Sequence, residues 1–235
     1  MERDEALALA LLRGAPEARP MVRLYQWEPW AVSLGRNQDA ETLDRDLLAR
    51  DGIDLVRRPT GGRAILHAEE LTYSVVMYAG RKSILQVYNI ISEALVSGLR
   101  LFGVDVTLQK SQPQFAEVYR QPSSIPCFTS SARYEIEWQG RKLVGSAQRR
   151  YADGERDVVL QHGSILCGPA HRRLSDYLRV ADEGVRERIR KEMDEKTVDL
   201  AEISGGPVDV KHLAGCIRRG FEMFPMNHPE GTREP

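Results

Sequence analysis

A cysteine and a lysine fifteen residues apart, Cys127 and Lys142, are the residues of this chain best suited to covalent chemistry. Cys127 lies in "SSIPCFTSS" (123–131), a small and polar stretch that favours access over packing. The thiolate is the reactive form, and a free cysteine with a pKa of ~8.5 is mostly protonated at neutral pH, so a nearby cation is needed. Lys142, in "GRKLVGSAQRR" (140–150), is a candidate. Gly145, Ser146 and Ala147 follow it, and a strand of such small residues leaves room above it for a ligand or for another backbone. A lysine at the mouth of that space could polarise a carbonyl or stabilise an anion. By residue type alone, an unreactive thiol and a surface lysine in a hairpin remain open.

Two further stretches carry chemistry. In "RRPTGGRAILH" (57–67), Gly61 and Gly62 let the backbone reach positive φ and approach a ligand closely. Amides exposed in such a turn suit carbonyl or phosphate oxygens, and Arg57, Arg58 and Arg63 add positive charge around Thr60. The stretch lacks both the Walker spacing and GxGxxG, so it reads either as a ligand cradle or as a tight surface turn. His67 closes it. In "LQHGSIL" (160–166), Gln161, His162, Gly163 and Ser164 interrupt an apolar strand; polar residues there satisfy one another or face a site.

The composition excludes several classes. A net charge of -1 gives no basic field for nucleic acid. No run approaches the ~18 apolar residues of a membrane helix, and the acidic start "MERDEALALALL" is unlike a signal peptide. Three widely spaced cysteines and no CxxC argue against a disulfide framework or a zinc site. The expectation is a cytoplasmic protein with reduced thiols and no metal, with Cys167 and Cys216 as packing residues.

The elements that must position these residues mix strands and helices without strict alternation. Helices are expected at 4–13, 39–50 (capped by Asp39), 84–102, 183–196 and 209–221, the fourth a solvated one with ten charges in fourteen positions. Strands are expected in "MVRLYQW", "AVSLG", "IDLVRR", "LTYSVVMY" and "DVVLQHGSIL". "RYEIEWQGRKLVGSA" reads as a hairpin turning at Gln139-Gly140. The fold class is α/β (α+β), a mixed, largely antiparallel sheet flanked by helices. No repeat or linker interrupts the chain, so residues 1–235 read as a single domain with a core over about 4–180 and C-terminal helices over 171–225.

Taken in order, "RRPTGGRAILH", "GRKLVGSAQRR" and "LQHGSIL", with "DEALALALL" and "VSLGRNQ" ahead of them, resemble the lipoate–protein ligase, biotin ligase and octanoyltransferase superfamily. The resemblance runs from the first helix to about residue 180, and it implies the sheet shared by biotin ligase catalytic domains and class II aminoacyl-tRNA synthetases. The pairing of Cys127 with Lys142 is similar to that of the cysteine-dependent octanoyltransferases of lipoate synthesis. That likeness implies transfer of octanoyl from acyl carrier protein, by way of a Cys127 thioester, to a lysine of a lipoyl carrier domain such as the glycine cleavage H protein or an E2 subunit. It implies Lys142 as the residue that activates the thiol and steadies the oxyanion. It also implies substrate-binding roles for Arg58, Thr60, Gly61, Gly62, Arg63, His67, Gly145, Ser146, Ala147, Gln161, His162 and Gly163, with the small residues lining an apolar tunnel and the histidines closing its polar end. No cofactor is implied. ATP and Mg enter only if the chain is instead a lipoate–protein ligase, a reading disfavoured by the lack of room for the accessory domain that many such ligases need, yet open to one that works with a separate subunit; amidotransfer between lipoyl domains is a third reading.

Overall fold

The computed structural model describes residues 1–109 and 135–224. Two sheets carry the strands. The larger has the order β1-β5-β9-β8-β7-β6, antiparallel throughout, from β1 (Met21–Tyr25), β5 (Glu70–Tyr78), β6 (Thr107–Gln109), β7 (Glu135–Trp138), β8 (Arg141–Ala152) and β9 (Asp157–Leu166). The smaller runs β3-β2-β4, from β2 (Ala31–Leu34), β3 (Asp54–Arg57) and β4 (Ile65–His67), with β2 parallel to β3 and antiparallel to β4. The architecture is the mixed, largely antiparallel α/β arrangement expected from the sequence.

Helix α3 (Ile84–Leu101) has the periodicity its sequence predicts: Val87, Ile91, Leu95 and Leu99 are all buried on one side. Ser83 and Gln86 close a capping box at its start. That apolar side joins Leu213, Ile217 and Phe221 of α6 (Val210–Glu222) and the strand residues Val75, Met77, Val144 and Val159 in the main core. A second core lies between the small sheet, α4 (Glu183–Lys196) and the 3-10 stretch Pro169–Tyr177. The third joins α1 (Glu2–Leu12) to β5, β8 and β9 through Leu11, Val76, Tyr151 and Leu160.

The hairpin turns where expected, with Gln139 and Gly140 both at positive φ (50° and 77°), the geometry that matches strand twist. Three details differ from the sequence reading. The single helix expected over 39–50 is two pieces, a 3-10 turn (Ala40–Thr42) and α2 (Arg45–Arg50). Asp39 caps the first and Asp44 the second, the Asp44 carboxylate accepting from Leu47 N at 3.0 Å. Leu43 between them is extended and bridges Leu178, so local side-chain bonding and a tertiary pairing override helix propensity. Helix α4 is more than a solvated face, because Ile189 and Met193 are buried. A short helix α5 (Leu200–Ser204), capped by Asp199 and ended by Gly205 at φ 71°, was not foreseen.

Candidate active site

The registers of the large sheet bring the chemistry-bearing stretches together. Thr72, Ser164 and Gly145 form one row across β5, β9 and β8, and Ser74, His162 and Ala147 form another two residues along. Alternation puts both rows on the same face. Between them lies the row Tyr73, Gly163 and Ser146, pointing the other way. A Cβ on Gly163 would sit 2.1 Å from the Gly145 carbonyl oxygen and 2.7 Å from the Tyr73 ring, so only glycine fits beneath that ring. The Tyr73 hydroxyl is 2.6 Å from Ser146 Oγ and accepts from Gln161 Nε2 at 3.2 Å. Burial pushes the phenol up to about 12, so it stays protonated.

The loop between β3 and β4 packs over this face. Gly35 is the seat of its turn: a Cβ there would stand 1.9 Å from the Gly62 carbonyl oxygen. Gly62 itself is at φ +89°, a conformation glycine adopts without strain. Arg58 is buried, and its guanidinium donates to the carbonyls of Ser33 (3.0 Å), Gly61 (3.0 and 3.2 Å) and Arg63 (2.6 Å). Arg57 likewise donates to the carbonyls of Gly35, Arg36 and Gln38. The sequence reading placed the charge of these arginines around the turn; here the Arg57 and Arg58 guanidiniums are occupied by backbone carbonyls. Carbonyls left over by a tight irregular loop need donors, and Arg57 and Arg58 supply them.

Beneath the loop is a pocket of about 300 Å³, counted with its mouth. Of the residues singled out in the sequence, Arg58, His67, Gly145, Ser146, Ala147, His162 and Gly163 line it. Thr60 joins it indirectly, with Oγ1 2.5 Å from His162 Nε2. Gly61, Gly62 and Arg63 shape the loop above, and Gln161 faces the other side of β9, bonded to Tyr73 and to Gln148 Nε2 at 3.0 Å. Burial, reinforced by Arg58 and His67, holds His162 well below the usual histidine range, so it is neutral.

His67 is locked into a relay. Arg58 Nη1 donates to Ser33 Oγ at 3.1 Å, and the Ser33 hydroxyl lies 2.7 Å from His67 Nε2. On the other side of the ring, His67 Nδ1 is 2.8 Å from Glu70 Oε1. Thr72 also donates to Glu70, and Trp27 Nε1 donates to Thr72 Oγ1 at 2.9 Å while its ring stacks on His67, centroids 4.5 Å apart. Ser164, noted in the sequence with its neighbours, also lines the pocket; sequence reasoning missed Trp27, Ser33, Glu70 and Thr72. The one available signal was Glu70, an acid opening an otherwise apolar strand three residues after a histidine.

Lys142 lies on β8 three residues before Gly145, and it is absent from the described lining of the pocket. It is buried and ion-paired with Glu135, also buried. Burial and the neighbouring Glu135 charge raise the Glu137 carboxyl, opposed by Lys142. Cys127 falls outside the described residues. Of the other thiols, both are buried and free as expected, and burial pushes Cys167 up to about 12, the mark of an unreactive sulfur. No group of side chains among the described residues could hold a metal ion, and no described helix is long and apolar enough to cross a membrane.

A helix-backed antiparallel sheet carries a pocket lined by small residues over its central strands, roofed by a glycine turn. The chain belongs to the lipoyl protein ligase A/B catalytic domain family, whose model matches residues 1–222. The protein named Octanoyltransferase LipM in Kyrpidia tusciae is 41% identical over 223 residues, 93% of this chain and 79% of that protein. Its namesake in Staphylococcus aureus is 33% identical over 228 residues, 94% of this chain and 80% of that protein. Among solved structures, the archaeal bi-partite lipoate protein ligase of Thermoplasma acidophilum aligns with a TM-score of 0.71 at 25% identity, covering 94% of this chain and 78% of that one. A lipoate-protein ligase A bound with ATP aligns at 0.69 and 23% identity, over 94% and 80% of the two chains, which shows the shared fold. By this kinship the chain is an acyltransferase.

Proposed function

We propose that this protein is an octanoyltransferase of protein lipoylation, taking octanoyl from acyl carrier protein and delivering it to a lysine of a lipoyl carrier domain, such as the glycine cleavage H protein or an E2 subunit. The observation that carries the reading is 41% identity, across 93% of the chain, to a protein named octanoyltransferase. The pocket supports it: Gly145, Ser146, Ala147 and Gly163 leave room for a slender chain.

In the proposed cycle the Cys127 thiolate attacks the thioester carbonyl, the tetrahedral adduct collapses, and the carrier leaves as a thiol after taking up a proton. The amine of the acceptor lysine then attacks the Cys127 thioester, forming the amide and returning the thiol. Lys142 is the cation that favours the thiolate and the oxyanion. Its pairing with Glu135 suits that role, since a buried ammonium keeps its charge only beside an opposite one. Arg58, Thr60 and His67 hold the roof and wall of the pocket and move no proton. The cycle uses no cofactor.

The test is octanoyl transfer by Cys127→Ala and Cys127→Ser variants in the absence of ATP. Loss of transfer in both supports the covalent route. Full transfer by Cys127→Ala removes it, and transfer only from free acid with ATP assigns the chain to the adenylating ligases.

A further inference from the structure

Two neighbouring buried polar atoms at and beside the pocket have no hydrogen-bond partner among the described residues, His162 Nδ1 and Ser74 Oγ. Their residues are 3% and 1% exposed. Ser74 and His162 are register partners across β5 and β9, so their Cβ atoms stand about 4.5–5.5 Å apart on one face. His162 lines the pocket, and its other ring nitrogen is fixed by Thr60. Buried polar atoms are nearly always paired, and two unpaired ones on register partners, one of them a residue of the pocket lining, mark a place for a polar group of the ligand.

We infer that His162 and Ser74 form a subsite for a hydroxyl at the tail of a medium-length acyl chain. The direction of the chain rests on the acyltransferase reading above. With the acyl carbonyl at Lys142, strand β8 runs from that end to Ala147, opposite His162. Those five steps span about 17 Å at ~3.4 Å per residue, which a lysine side chain and a medium acyl chain together cover. A hydroxyl fits because it donates and accepts, matching His162 Nδ1 in either tautomer and the Ser74 hydroxyl in either orientation. A cationic tail does not fit, because the charges that reach His162, those of Arg58 and the N-terminal ammonium, are positive.

The experiment is calorimetric binding of octanoic acid and 8-hydroxyoctanoic acid to the full chain, to Ser74→Ala and to His162→Phe. Ser74→Ala removes only an unpartnered hydroxyl, so it folds. The subsite predicts that the wild type binds the two acids within about threefold of each other. It further predicts that Ser74→Ala and His162→Phe weaken the hydroxylated acid relative to octanoate by about tenfold or more. A wild type that binds the hydroxylated acid about tenfold more weakly than octanoate overturns it, because an all-apolar wall rejects a hydroxyl in that way. An unchanged ratio in both variants overturns it too, as does no binding of either acid. Octanoyl-thioester acylation measured in parallel separates the two claims: a failure there with the binding ratio intact counts against the transferase reading alone.

Discussion

Gly61 and Gly62 are adjacent, identical and both exposed, yet the structure predicts opposite responses to alanine. Gly62 is at φ +89°, and a Cβ there would stand 2.8 Å from Arg58 Nη2. That nitrogen donates to the carbonyls of Gly61 and Arg63 at 3.0 and 2.6 Å, so it cannot swing aside without breaking bonds that hold the loop. A left-handed alanine costs about 1 kcal/mol, and disturbing a charge-assisted bond adds about 1.5–3 kcal/mol. Gly62→Ala should therefore destabilise by roughly 2.5–4 kcal/mol. Gly61 has open space where its Cβ would go and no positive φ, so Gly61→Ala should be neutral or stabilising by about 0.4–1 kcal/mol through the unfolded chain. Urea unfolding reads the difference as a drop of about 1 M or more in midpoint for Gly62→Ala alone, given slopes of about 1–3 kcal/mol/M. Octanoate binding should fall with it, because Thr60 shares the turn. Equal midpoints for the two variants would refute the argument that the Arg58 clamp and the backbone at Gly62 shape this loop.

Gly163→Ala should cost about 3 kcal/mol or more and abolish acyl binding, since its Cβ meets the Gly145 carbonyl and the Tyr73 ring; urea unfolding and calorimetry check this. Stability should also fall in mild acid. Burial lowers His162 and His171, the latter to about 3, so the unfolded chain takes up protons first as pH drops below ~6.5, losing up to about 1.4 kcal/mol per pH unit for each histidine. For His171 the loss continues down to its folded value of about 3; urea midpoints from pH 7 to 5 measure the slope. Lys142→Met should slow acylation by about 10²-fold or more and also destabilise by about 3–5 kcal/mol by taking the ammonium from buried Glu135. Adding Glu135→Gln should restore most of the stability and none of the rate, which separates the two roles.

Much of this architecture is written locally. The α3 stripe, the Gln139-Gly140 turn and the glycine pair in the loop are short-range patterns, and each forms where its residues say it should. The convergence of three motifs on one pocket was legible only through family resemblance, because strand order is set by pairings such as Ser74 with His162, 88 positions apart. What stayed hidden has the same cause. Trp27 stacks on a histidine 40 residues away, and Ser33 meets His67 across 34. Composition cannot say whether Arg58 faces solvent or turns inward; that depends on how many loop carbonyls the fold leaves without donors. The Lys142 partner Glu135 sits on the facing strand of its hairpin, where only the register identifies it.

The central claim is the covalent route, and intact-protein mass spectrometry after mixing the enzyme with octanoyl-acyl carrier protein, without ATP, tests it most directly. The account predicts an adduct of octanoyl mass that maps to Cys127 and disappears on addition of a lipoyl domain. An unmodified protein, with octanoylated lipoyl domain formed only when free octanoate and ATP are supplied, would contradict it.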